Sequence, residues 1–193
     1  MKQLILILAL ALMLAVPVSA QVAVNVFTGL SFSAFEDQDE SASALPLGVA
    51  VGFNPIPNLE VGGEVNLALP GYGFESTIYD VKITTTFQQN LVGAYGRFYF
   101  SGGPIMPFAK LGLGYYFGDV KVKGEFMGMK MDETLDVDGA VGFNVGAGVM
   151  LKKGFYGEFN YNILSRKSSD GEGGSDSYGA NTWAIQLGYR FKF

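Results

Sequence analysis

Five charged side chains in this 193-residue sequence interrupt the polar side of otherwise apolar, alternating stretches: Glu64, Arg97, Lys110, Glu158 and Arg190. Carboxylates set among guanidinium and ammonium groups can move protons, pass ions or neutralise one another. Histidine is absent, which excludes the common hydrolytic triads, and so is cysteine. Ser-Lys or carboxylate-pair chemistry is still formally open, but each acid has a base available, so neutralisation is the simpler role. The chain reads as a non-enzyme. No cofactor is implied, because there is neither a phosphate-binding glycine loop nor a nucleic-acid-binding signature. Acidic runs do occur, at Glu36-Asp37-Gln38-Asp39-Glu40 and at Asp132-Glu133 with Asp136 and Asp138. Their spacing lacks the Asp/Asn-Gly-Glu order of a calcium loop, so they read as solvated and no metal site is expected.

The elements that must hold the five charges are strands, since the surrounding apolar residues recur with period two. Residues 22–35 alternate through Val22, Val24, Val26, Leu30 and Phe32, and 45–53 through Leu45, Leu47, Val49, Val51 and Phe53. In 59–69 the apolar set opposes Glu60, Glu64 and Asn66. A fourth strand ends at Phe100 with Tyr95, Arg97 and Tyr99 on one side, and a fifth, from Ile105, sets Leu111, Leu113, Tyr115 and Phe117 against Lys110 and glycines. Residues 141–151, 155–163 and 182–193 complete a set of eight. The last opposes Trp183, Ile185, Leu187, Tyr189, Phe191 and Phe193 to Gln186, Arg190 and Lys192. Connections alternate in length: 54–58, 101–104 and 152–154 are short, whereas those near 36–44, 70–88, 118–136 and 166–177 are longer and polar or glycine-rich.

The N-terminus runs from Lys2 through the apolar stretch 4–16 to Val18-Ser19-Ala20, the order of a cleavable signal peptide over residues 1–20, leaving 21–193 as one domain. Beyond residue 20 no stretch is apolar for the length a membrane helix needs, so membrane residence must use strands. Only 16% of residues are charged and 27 are glycine, a lean composition for a water-soluble surface. Eight antiparallel strands with short turns on one side and long loops on the other describe an all-β, up-and-down transmembrane β-barrel of the bacterial outer membrane. The alternative of a secreted, lipocalin-like barrel turns the same alternation inside out. Residue size favours the membrane form: the polar faces carry mostly Gly, Ala, Ser and Asn, which suit a narrow lumen, while Phe, Leu, Val, Tyr and Trp face lipid.

In these features the chain resembles the small outer-membrane barrels typified by OmpX, the OmpA membrane domain and the opacity proteins. Its most specific element is the terminal pattern from Trp183 to Phe193. The resemblance implies that Tyr189, Phe191 and the terminal aromatic Phe193 form the signal read by the outer-membrane assembly machinery. It also places both termini and the short turns in the periplasm.

With the polar face inward, Glu64, Arg97, Lys110, Glu158 and Arg190 are expected in one layer of the periplasmic half, as a paired plug or, less simply, a gate; Glu60 and Lys192 are expected nearer the rim and hydrated. Beyond the membrane, 78–89 and 116–127 alternate in a register that folds about the 101–104 turn. Position 78 then meets 127 and 89 meets 116, so an external hairpin is expected, exposing Val81, Ile83, Phe87, Val120, Val122 and Phe126. An inversion of apolar parity between Leu91 and Ala94 and between Phe117 and Val120 is consistent with a bulge or a change of face at the bilayer surface. Expected partners are outer-membrane lipid and lipopolysaccharide, the assembly machinery, and an unidentified surface partner. Two roles follow: a structural or surface-interaction barrel with a plugged lumen, or a narrow conduit or binding barrel for small or hydrophobic solutes, as in OmpW-like proteins.

Overall fold

The computed structural model describes residues 21–33, 42–78, 81–100, 102–126, 129–169 and 175–193. The expected signal peptide and the acidic run at 36–40 lie outside them. Among the described residues there are eleven antiparallel strands: β1 Val22–Ser33, β2 Ala42–Ile56, β3 Leu59–Leu69, β4 Tyr72–Ile78, β5 Val81–Phe87, β6 Asn90–Tyr99, β7 Ile105–Phe126, β8 Met129–Leu151, β9 Phe155–Ser169, β10 Ser175–Gly179 and β11 Thr182–Lys192. Eight of them close a ring, β1-β2-β3-β6-β7-β8-β9-β11, in which β11 returns to pair with β1 from Ala23↔Lys192 to Ser33↔Thr182. Closure satisfies the ladder on both sides of every wall strand, which lipid demands because it offers no hydrogen-bond partner.

Period two decides what faces where. Along β2 burial alternates strictly from Ala42 to Gly52, and on β7 and β11 the outward residues Leu111, Leu113, Ile185 and Leu187 are all about half exposed or more. The inward set mixes small and polar residues, with Asn25, Ala50, Asn144, Asn160 and Gln186 buried, and a few large rings such as Phe27, Phe108 and Tyr156. The apolar face is therefore outside, opposite to a lipocalin-like carrier. Aromatics mark both edges of the outer face, with Phe155, Tyr189 and Phe191 in successive edge contacts of 4.8 and 4.7 Å at the short-turn end and Phe32 stacked on Trp183 at 4.2 Å towards the other.

Glycine makes the lumen habitable. A side chain on Gly188 would occupy the space of the Tyr156 ring, and one on Gly48 that of the Phe27 ring. Large inward residues are thus accommodated by the residue next door having none. Gly154 closes the β8–β9 turn at φ +97, a left-handed conformation that glycine adopts without a Cβ clash.

Two stretches expected as long connections are strand instead. Residues 72–78 form β4, and 129–137 extend β8 to pair with the outer half of β7, whose own continuation was expected, Phe126 facing Met129. β4 pairs with β5, and β5 pairs with the outer half of β7 from Ile83↔Gly124 to Phe87↔Val120. That register is displaced by two residues from the expected one, which preserves which side chains share a face. Of the two alternatives for the parity inversion, the change of face holds on β6 and β7, which keep their parity, and a register shift lies beside it between Tyr116 and Gly118 against β8. The apparent inversion arises because the inward face itself changes from polar to apolar at the outer end.

Candidate functional site

Five of the six charges in the lumen's inner half were expected there and the sixth, Glu60, was not. On the β3–β6–β7 ladder Glu60 pairs with Arg97 and Arg97 with Lys110, so three charges stand abreast. Glu64 lies two steps of the alternation further out, beside Gly93. Glu158 and Arg190 come from β9 and β11 on the other side of the lumen.

The charged groups form one alternating chain rather than a flat layer. Arg190 Nη2 meets Glu60 Oε2 at 2.6 Å, Glu60 Oε1 lies 3.5 Å from Arg97 Nη1, and Arg97 Nη2 meets Glu158 Oε2 at 2.8 Å. Glu158 Oε1 is then 3.3 Å from Lys110 Nζ, which ends on Glu64 Oε2 at 2.6 Å. Three carboxylates balance three cations. Each acid also accepts from an asparagine: Asn25 donates to Glu60 at 3.1 Å, Asn144 to Glu64 at 3.0 Å and Asn160 to Glu158 at 2.6 Å. Tyr95 and Tyr99 donate to Glu60 at 2.6 and 3.0 Å. The Arg97 guanidinium sits among the Phe108, Tyr156 and Tyr95 rings, 4.6, 5.0 and 5.5 Å from their centroids.

Glu60 corrects the expectation of a hydrated rim residue: it is 0% exposed. Its nearness to a turn in sequence misled, because the turn 54–58 extends past the charged layer and Tyr99 and Arg190 fold over it. The usable signal was parity, since Glu60 shares the inward face with Glu64 and is opposite Arg97. Lys192 is exposed, as expected. The tyrosine and asparagine partners were visible as inward positions, but not as ligands of particular acids.

Further out the lumen is sealed a second time, by apolar groups. Ala42, Ala44, Ala68, Tyr72 and Phe87 form a buried cluster with Phe74, Val120 and Val137 against it, and Tyr72 shares a 2.6 Å hydrogen bond with Ser31. Phe87, expected to be exposed on the external hairpin, is buried here, because β5 leans its inner end over the barrel mouth. Beyond this cap β4, β5 and the outer halves of β7 and β8 make a four-stranded sheet. One face carries Ile83, Val122, Met131 and Leu135; the other carries the exposed pairs Glu75–Lys82 at 2.7 Å and Lys123–Asp132 at 3.4 Å. The backbones of Val81 and Phe126 belong to this sheet, while their side chains lie outside the described residues. Tyr189, Phe191 and Phe193 fall on the lipid-facing side of the closing strand, with Phe193 N donating to Val22 O at 2.9 Å.

A closed eight-stranded ring with an apolar exterior and a polar, charge-paired interior defines a small transmembrane barrel. Residues 6–191 match the family described as outer membrane protein beta-barrel domain, and the chain belongs to that family. It is an integral outer-membrane protein. Its fold is similar to that of Neisserial surface protein A, at 15% identity and a TM-score of 0.54 over 90% of this chain and 97% of that one. A major outer membrane protein from Thermus thermophilus is similar at 14% identity and a TM-score of 0.53, over 91% and 100% of the two chains. Ail, the attachment invasion locus protein of Yersinia pestis, is similar at 19% identity and a TM-score of 0.50, over 89% and 99%. No curated protein matches the chain in sequence.

Proposed function

We propose that this barrel is a non-conducting, non-catalytic structural element of the outer membrane that presents its long-loop end to the surroundings. The observation that carries the reading is the alternating chain from Arg190 to Glu64, which crosses the lumen with every acid paired. Eight strands enclose little more than their own side chains, so a pore would have to break these contacts. Glu60, Glu64 and Glu158 are occupied as counter-ions, which removes them as free general bases, and no histidine is available in their place. The second, apolar seal at Tyr72 and Phe87 counts in the same direction. Both stand against the conduit reading of OmpW-like barrels.

On this reading the outward sheet, through Ile83, Val122 and the backbones at Val81 and Phe126, is the surface offered to an external partner. Phe87 and Val120 anchor it to the barrel. Tyr189, Phe191 and Phe193 serve assembly, and the apolar wall contacts membrane lipid and lipopolysaccharide. Reconstitution of the purified protein in planar bilayers tests the proposal. Electrical silence is the expected result, and a steady, solute-dependent conductance would overturn it.

A further inference from the structure

The short-turn mouth of the barrel opens into a vestibule of about 430 Å³ whose charged lining residues, among those described, are Arg190 and Lys192. Both are basic in a protein whose formal net charge is −5. Their side chains point to the barrel axis rather than the lipid, because Arg190 is on the inward register and Lys192 follows two residues later, whereas Tyr189, Phe191 and Phe193 alternate outward. The nearest acid cannot serve Lys192: Glu60 is fully buried, and its two oxygens already accept from or pair with Arg190, Arg97, Tyr95, Tyr99 and Asn25. Among the described residues Lys192 makes no ion pair. The other exposed side-chain charges at this end, Lys152 and Lys153, are basic too, and no exposed aspartate or glutamate is described there. In the long loops, by contrast, acids outnumber bases by more than two to one.

Arg190 already meets Glu60 and Asn54 on its buried side, but Lys192, two residues on, has no counter-ion among the described side chains, and an anion in the vestibule would supply one. Tyr99 and the Asn58 amide line the same space. We propose that the vestibule is a binding site for a small oxyanion, a phosphate or carboxylate group carried by a periplasmic solute, held chiefly by Lys192 with Arg190 behind it. The volume admits a phosphate or a four-carbon dicarboxylate, and the inward direction of both cations selects a solute over the headgroups of the surrounding bilayer.

The test is calorimetric titration of the purified full-length barrel in maltoside micelles at low salt, with inorganic phosphate and, separately, with succinate. Saturable one-to-one binding of either is expected, weakened at least fivefold in Lys192→Gln, retained in Lys192→Arg, and unchanged in Lys82→Gln at the far end of the molecule. Phosphate alone would assign the phosphate class and succinate alone the carboxylate class, each supporting the site. Absence of saturable binding to both, or equal binding by wild type and a Lys192→Gln protein that still migrates as a folded barrel, would overturn it. Equal weakening by Lys82→Gln would likewise overturn it, as general charge screening.

Discussion

Arg97 on β6 and Glu158 on β9 are separated by two whole strands of barrel wall, yet Nη2 and Oε2 meet at 2.8 Å, so one ion pair ties opposite sides of the lumen together. Both groups are buried, and the guanidinium is roofed by Phe108 and Tyr156. Removing one partner leaves a charge that water cannot reach. Arg97→Ala should therefore destabilise the barrel by about 3–5 kcal/mol. Urea unfolding in micelles, followed by the gel shift between folded and heated protein, measures this. The double variant with Glu158→Ala should lose less than the sum of the singles, because contacting groups couple. Unchanged midpoints for Arg97→Ala and for Glu64→Ala alike would refute a buried network.

Crowding inside the lumen gives a second expectation. Gly188 and Gly48 leave the volumes that the Tyr156 and Phe27 rings fill. Gly188→Leu should abolish assembly of the closed form, whereas Leu187→Val, one residue away on the lipid face, should cost less than about 1.5 kcal/mol. Recovery of heat-modifiable Gly188→Leu barrel at wild-type yield would contradict the packing described.

The closing strand supplies a third. Deleting Phe193 removes an aromatic from the lipid-facing register and the hydrogen bond to Val22. Insertion, scored as the heat-modifiable fraction in outer membranes, should fall more for this deletion than for Lys192→Gln. Equal effects would count against a terminal-aromatic signal.

The outward sheet is tested by amide exchange. Residues 83–87 of β5 and 120–124 of β7 are hydrogen-bonded in register and should be protected well beyond the membrane boundary. Rapid exchange throughout both segments would remove the sheet and the surface it offers.

Most of this barrel is legible because alternation is a strong signal when one face meets lipid and the other a narrow lumen. Val49, Val51, Leu111, Leu113, Ile185 and Leu187 declare the outer face residue by residue, and the inward glycines follow. The outer halves of β7 and β8 are less legible, since outside the bilayer the alternation pairs Val122 and Leu135 with Lys123 and Thr134 in a stretch rich in Asp and Lys, which also reads as a loop. The register error of two residues has the same origin: parity is fixed by faces, but nothing in alternation distinguishes one even displacement from the next. The charged cluster was readable by type and face but not by height. Strand tilt carries Glu158 and Arg190 towards Arg97 and Glu60 by amounts that a count from the turn does not contain.

The pairing of β1 with β11 has a consequence for how the molecule comes into being. The first and last strands of the domain complete each other's ladders, so no earlier portion of the chain can form the finished ring. Until the final segment arrives, β1 has an unpaired flank, and Leu30, Val49 and Leu111 have no bilayer to meet. Transit from synthesis to membrane is consequently a period of chemical exposure for the whole polypeptide. The rate of ring closure should depend on the time the chain's two ends need to find one another.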